Sequence, residues 1–474
     1  MRPDRRNPLP LFTWMTAPLA LITLSCAVGP HYHRPEIRTD ASFQNADAAQ
    51  FTQTAASINW WSIFKDPQLA QLIRDAAAAN YDLRIAAANL RQARALLLEA
   101  RYDYYPTVTA SGAYERQRFS KATVVGVDPD RDLFSAGFDA TWELDLFGRV
   151  RRSVEARKAE VDAAKASQED VLISVFAEVA RNYFELRGAQ DRLAVAQRNA
   201  QNQSDTYKLT VNLLNGGRGN ELDTSRAKAQ LESTEASIPT LETSVEQIIY
   251  RLSVLTGRQP AALKSALLTV APLPELPAAI AIGNPADLLR RRPDVRIAEG
   301  NLAAATARVG VATADLYPRI TFVGSLGVAA NQFPDMFRGG ADAYTFGPHI
   351  TWAAFDLGRV KARLKASEAQ SDAELANFER TVLDALEETD GALVAYSKEL
   401  VRLAHLKAAE EASRKAADLA RSRFETGGIG DFLTVLDAQS RTLEAQDQLS
   451  QSKARAATLL VSIFKALGGG WEQP

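Results

Sequence analysis

The chain has 474 residues, with 55 Lys+Arg against 57 Asp+Glu, four His, one Cys and 46% hydrophobic residues. That composition excludes a disordered polymer, and the near balance of charge gives no case for a nucleic-acid binder, which usually shows a basic excess or stripe. A single Cys excludes a disulfide framework or a Cys-rich metal site.

Residues 1–25 read as an export signal: Arg2, Arg5 and Arg6 precede an apolar stretch, Leu9 to Leu24, too short for a comfortable membrane span. Cys26 follows directly, where a lipoprotein signal peptidase would cut and a covalent lipid would be attached. The plainer alternative is a free thiol after an ordinary signal peptide, and Thr23-Leu24-Ser25 departs from the usual lipobox. Residues 26–60 are polar and Ala-rich, and read as an extended segment. His31 and His33 lack further ligands nearby, so a structural role outweighs metal binding.

The first helical stretch is expected from Pro67 through Leu83 and Leu90 to Tyr105. A hairpin over 106–144 follows. Phe134, Ala136, Phe138, Ala140, Trp142 and Leu144 alternate with Ser135, Gly137, Asp139, Thr141 and Glu143, and Val108, Ala110 and Tyr114 alternate with Thr107, Thr109 and Ser111. Strands of about 9 to 11 residues suit a tilted bilayer crossing. Between Gly148 and Gly216 the chain reads as one long helix, and Glu221 to Leu255 as its shorter return, with a kink expected at Pro239. The turn Asn215-Gly216-Gly217-Arg218-Gly219-Asn220 reads as the tip between them.

Residues 258–285 form a Pro-bearing linker. Asn284 and Pro285 then start a helix expected to run to Asp315, and the Arg290 to Arg292 run on it is read as solvated, pairing with Asp287 and Asp294. A second hairpin covers 318–353, with Ile320, Phe322, Leu326, Val328, Tyr344, Phe346, Ile350 and Trp352 on one side. A second long helix, Val360 to Thr426, and a return, Asp431 to Leu467, enclose a tip with Gly427 and Gly428.

The chain is therefore written twice. Tyr105-Pro106 recurs as Tyr317-Pro318, Asp145-Leu146-Phe147-Gly148-Arg149-Val150 as Asp356-Leu357-Gly358-Arg359-Val360, and Leu255-Thr256-Gly257 as Ala466-Leu467-Gly468, at offsets of 210 to 212. The copies are 61–257 and 286–468, and 469–474 is a tail. The fold class is mainly α with membrane β: long coiled-coil helices in tandem and two β-hairpins per chain. Four strands cannot close a barrel, and an open edge cannot sit in lipid. Two copies would supply eight strands and three would supply twelve; about eight fill with side chains, so twelve are needed for a lumen, lined by Ser135, Asp139, Thr141 and Glu143. No catalytic constellation appears, and an enzyme is not expected.

Cys26-Ala27-Val28-Gly29-Pro30, Trp60-Trp61 with Phe64, Asp66-Pro67, Arg291-Arg292-Pro293-Asp294-Val295 and the terminal Ala466-Leu467-Gly468-Gly469-Gly470-Trp471 together resemble the outer-membrane efflux lipoproteins of the TolC superfamily, NodT/OprM-like branch. The resemblance implies a homotrimer with a 12-stranded barrel in outer-membrane lipid, continuous with a periplasmic α-helical barrel. It implies a periplasmic membrane-fusion adaptor and an inner-membrane pump, of RND or ABC type, and no cofactor beyond the N-terminal lipid. The family's Leu-Asp-Ala-Gln segment is Leu436-Asp437-Ala438-Gln439 here, which makes Asp437 a gate candidate beside Arg423, Phe424, Asp431 and the tip glycines. The family's next Arg is displaced from Ser440 to Arg441, and an ordinary intra-helix ion pair is the alternative for Asp437. A type I protein-secretion channel and a non-conducting periplasmic spacer are the alternative functions.

Overall fold

The computed structural model describes residues 27–37, 39–44, 50–54, 59–120, 122, 129–425 and 432–469. Its elements in chain order are β1 (Phe51–Thr52), α1 (Pro67–Ala79), α2 (Tyr81–Tyr102), β2 (Thr107–Arg118), β3 (Asp130–Leu144), α3 (Arg149–Asn215), α4 (Glu221–Leu255), α5 (Lys264–Leu267), β4 (Ile280–Ala281), α6 (Pro285–Arg291), α7 (Pro293–Ala314), β5 (Arg319–Ala330), β6 (Asp342–Thr351), α8 (Leu357–Glu425) and α9 (Phe432–Ala466). They fall into two compact units, one of residues 27–36, 90–164 and 297–379, the other of 37–89, 165–296 and 380–469. Each unit draws on both copies of the repeat.

The first unit is built on one antiparallel sheet of order β2-β3-β5-β6, so the two hairpins are joined by β3 against β5. Gly137 lies opposite Gly327 on that central seam. A Cβ there would fall 2.8 Å from Leu326 O or 2.4 Å from Ala136 O, so neither position has room for a side chain. β2 and β3 are longer than the expected hairpin strands. Their added rungs carry Arg116 near Asp132 (3.9 Å) and Arg118 near Asp130 (3.7 Å), charges that interrupt the apolar alternation on which the sequence boundaries rest.

The second unit carries an aromatic core. Trp60 stacks on Phe464 (centroids 5.3 Å apart, planes at 10°), and Phe64 packs on Phe184, with Leu69, Ile73, Val179, Ile249 and Leu460 closing around them. Asp66 positions α1 by accepting from Gln68 N and Leu69 N, with Pro67 as the first helical residue. The short parallel pair Phe51–Ile280 and Thr52–Ala281 ties the N-terminal segment to the linker.

Two expected helices are broken. The stretch from Pro67 stops at Asn80 and restarts as α2, and the stretch from Pro285 stops at Arg292 and restarts as α7. Pro293 explains the second break, because the residue before a proline is pushed out of the helical region. At the first, the Asn80 amide oxygen accepts from Asp82 N and Leu83 N, capping the new helix. The long helices and their returns lie within a few residues of their expected bounds, and α4 continues through Pro239.

Candidate functional site

The register divides the sheet into two chemically distinct faces. Odd-numbered residues share one: Thr109, Ser111, Ser135, Asp139, Thr141, Glu143, Thr321, Ser325, Thr345 and His349. Ser111 Oγ donates to the Asp139 carboxylate at 2.8 Å. At the end of β3, Glu143 accepts two hydrogen bonds from Arg149 (2.8 and 2.6 Å), and Arg319 lies 3.7 Å away while also pairing with Asp315 at 3.3 Å.

Even-numbered residues share the other face: Val108, Tyr114, Phe134, Phe138, Trp142, Phe322, Leu326, Tyr344, Phe346 and Ile350. Most are exposed on the single chain. Aromatics gather at two levels. Tyr114 and Phe134 meet at 4.7 Å, with Phe333 next to them, and Trp142 and Trp352 stand at the opposite strand ends. Trp142 Nε1 donates to Tyr104 O and Trp352 Nε1 to Leu316 O, both at 3.0 Å, so each copy ties its returning strand to the backbone just before its Tyr-Pro. A wide apolar band between aromatic girdles, backed by a polar face, is the cross-section of an outer-membrane barrel wall.

At the first helix tip Gly217 takes φ +69°, and Arg218 N bonds Leu213 O while Gly217 N bonds Leu214 O. That closes α3 with a Schellman motif, after which Asn220 caps α4 by accepting from Asp223 N. At the second tip Gly427, Gly428 and Asp431 lie outside the described residues. Beside it, Phe424 packs on Phe432 (5.3 Å), Arg423 is exposed, and Asp437 pairs with Arg441 across one helical turn at 3.0 Å.

Cys26 also lies outside the described residues, but the chain is fastened immediately after it. Val28 N donates to Phe147 O, and the buried Arg152 donates to Val28 O and Gly29 O. Tyr32 and Arg34 both reach Glu299, and burial with that carboxylate pushes the Tyr32 pKa up to about 12. His31 lies 3.4 Å from the Arg152 guanidinium.

The Arg290 to Arg292 run requires a correction, since Arg292 is buried rather than solvated. Its guanidinium donates to Asp294 (3.0 and 2.6 Å), Glu388 (2.6 Å) and Ala466 O (2.7 Å). Burial opposes its charge, but the two carboxylates outweigh that and raise its pKa. Asn80 is its counterpart 212 residues earlier, and donates to Leu255 O at 2.9 Å. Leu255 and Ala466 are the last residues of α4 and α9, and the following Gly257 and Gly468 take φ +71° and +64°. The repeat thus carries a latch in each copy, from helix break to return-helix end. Sequence reasoning missed it, although the Pro after Arg292 and the matched Leu-Thr-Gly and Ala-Leu-Gly ends were both in view.

Among the described residues no helix is long and apolar enough to cross a membrane, and no group of three or more His, Cys, Asp or Glu could hold a metal ion. A family model described as "Outer membrane efflux protein" matches residues 72–258 and 284–469. The chain is 32% identical over 460 residues to the antibiotic efflux pump outer membrane protein ArpC of Pseudomonas putida, covering 95% of this chain and 94% of that one. Among solved structures, the outer-membrane channel OprN superposes with a TM-score of 0.88 at 41% identity, over 94% of this chain and 100% of that one. The open state of the MtrE outer membrane channel of Neisseria gonorrhoeae gives 0.80 at 27%, over 94% and 99%.

Proposed function

The chain belongs to the outer membrane efflux protein family, and from that premise we propose that three copies close one barrel and form the exit duct of a tripartite efflux system. One observation carries this reading: a four-stranded sheet with a polar face, an apolar face and two unpaired edges. In lipid each unpaired backbone group costs several kcal/mol, about, so both edges must be covered. Strand directions alternate across the sheet, so β6 of one chain meets β2 of the next antiparallel, and head-to-tail repetition closes a ring. Three chains give twelve strands, enough for a lumen.

Ser135, Asp139, Thr141 and Glu143 then face water in that lumen, and Phe138, Phe322 and Phe346 face lipid. The duct is a passive conduit. An inner-membrane pump, joined through a periplasmic adaptor, supplies the energy and selects the cargo, and the antibiotic-efflux relative supports small molecules as that cargo. Cys26 carries the lipid anchor, a reading supported by the strap that fixes residues 28–34 directly after it. Asp437, Arg423, Phe424 and Asp431, with Gly216, Gly217, Gly427 and Gly428, form the periplasmic tips, where three copies of Asp437 around a narrow axis repel one another and attract cations.

Planar-bilayer recording tests the conduit. Reconstituted protein is expected to pass ion current, with more open channels for Asp437→Ala. A complete lack of current from both proteins would overturn the reading.

A further inference from the structure

We propose that the seam between neighbouring chains pairs the whole of β6 with β2, with His349 opposite either Thr109 or Ser111 of the next copy and no other residue. This rests on the three-chain reading above and names its contact.

The argument begins with face parity. The polar face is odd-numbered on both edge strands, Thr107, Thr109 and Ser111 on β2 and Thr345, His349 and Thr351 on β6. An odd residue must therefore lie opposite an odd residue, because a slip by one would turn polar side chains toward lipid. Length is the second constraint. β6 has 10 residues and β2 has 12, so β6 fits wholly inside β2 in three registers. Parity removes the middle one. The remaining two set Thr351 opposite Thr107 and Asp342 opposite Arg116, or Thr351 opposite Thr109 and Asp342 opposite Arg118.

Barrel closure is an independent check. Across one chain, Thr107 is level with Thr141, Thr141 with Val323, and Val323 with Gly347. In the two registers Gly347 meets Ser111 or Ala113 of the next copy, a rise of four or six residues per chain. Over three chains the stagger is twelve or eighteen residues, which for twelve strands sets the tilt at about 35° or about 47°. A slip of two further residues either way would give about 20° or about 55°, well outside the range for membrane barrels.

Side-chain chemistry agrees with both registers. Asp342 faces an arginine in either, and Phe346 faces Gly112 or Tyr114 on the lipid side. Pro348 is an even-numbered edge residue. The bonds Phe119 N to Pro129 O and Ala329 N to Ala341 O show that the backbone N–H and C=O groups of odd residues in β2 and β6 face the neighbouring strand of the same chain, so the missing N–H of Pro348 leaves the ladder with β5 intact and removes one donor from the seam, opposite Ala110 or Gly112. The same parity makes the odd seam pairs non-hydrogen-bonded, with Cα atoms about 4.5 Å apart, within reach of a disulfide.

The test combines His349→Cys with Thr107→Cys, Thr109→Cys, Ser111→Cys or Ala113→Cys in turn, oxidises each full-length double variant in outer-membrane fragments, and separates the chains without reductant. The Thr109 or Ser111 combination is expected to give a covalent three-chain species at least several-fold more efficiently than the Thr107 or Ala113 combination, and single variants should give none. Strongest linkage through Thr107 or Ala113 overturns the register while leaving the three-chain reading standing. No linkage from a particle whose native mass is three chains overturns the seam, and no linkage from a particle of one chain overturns the three-chain reading as well. Should the cysteine variants fail to accumulate, Asp342→Arg is expected to lower the temperature at which the assembly dissociates, and Arg116→Asp or Arg118→Asp to restore at least half of the loss. Lack of rescue by either contradicts the proposal.

Discussion

The two units of this chain treat their aromatic residues in opposite ways. In the unit built around α1, α4 and α9, Trp60 is 1% exposed and Phe464 3%, each enclosed by the same polypeptide. In the unit built on the sheet, Phe346 is 77% exposed, Tyr344 70% and Trp352 53%. One unit is finished within a single chain. The other displays an apolar face and two open edges, which the proposed assembly covers with lipid and with further copies. Large exposed apolar patches of this kind mark surfaces with a partner.

Trp60→Ala should break the finished side of the comparison most severely. Loss of the stack on Phe464 is expected to cost about 3–5 kcal/mol, read as a lowered denaturation midpoint and poor accumulation. By contrast, Phe346→Ala should change the stability of the unassembled chain by less than about 0.5 kcal/mol while lowering the dissociation temperature of the assembly.

The paired latches sharpen it further. Arg292→Ala leaves Asp294 and Glu388 without their buried partner and should cost about 3–5 kcal/mol, whereas Asn80→Ala loses a cap and one hydrogen bond, about 1–2 kcal/mol. Chemical denaturation of both variants would rank them.

Asp170 gives a smaller effect with a definite sign. It lines a cavity of about 220 Å³ with Arg292, Asp294, Glu388 and Lys465. Burial, then Asp294, raises its pKa. The folded chain therefore binds this proton more readily than the unfolded one. The Asp170 contribution to stability rises as pH falls through the raised value toward the ordinary carboxylate range, and is lost as pH rises. Asp170→Asn should be more stable than the parent at neutral pH and should lack that slope, measured by denaturation midpoints across a pH series. Least of all, Asp437→Ala removes an exposed ion pair worth about 0.3–0.5 kcal/mol, so its effect belongs to conductance rather than to folding.

Periodic features were legible in the sequence because they repeat. The 210- to 212-residue offset, the alternation on β3 and the long helical runs with no Pro and a single Gly each, Gly188 and Gly391, revealed the two hairpins and four long helices. Contacts between distant segments were not legible. Nothing local to Arg292 shows that it reaches Ala466 O, and its neighbours Asp287 and Asp294 made solvation the natural reading. The breaks at Asn80 and Arg292 were hidden for a related reason: apolar spacing continues across both, and the interruption is set by a side-chain cap in one and a proline in the other. At the sheet, alternation showed which residues share a face, but the joining of the hairpins through β3 and β5 depends on the close approach at Gly137 and Gly327, which a pattern of two-residue period does not encode.

The central claim is that the pore exists only as an assembly of three chains, and native mass measurement of the detergent-extracted protein tests it most directly. The account predicts a single particle of three chains that falls to one chain on thermal dissociation. A stable particle of one chain, with Phe138, Phe322 and Phe346 shielded from detergent by their own polypeptide, would contradict it.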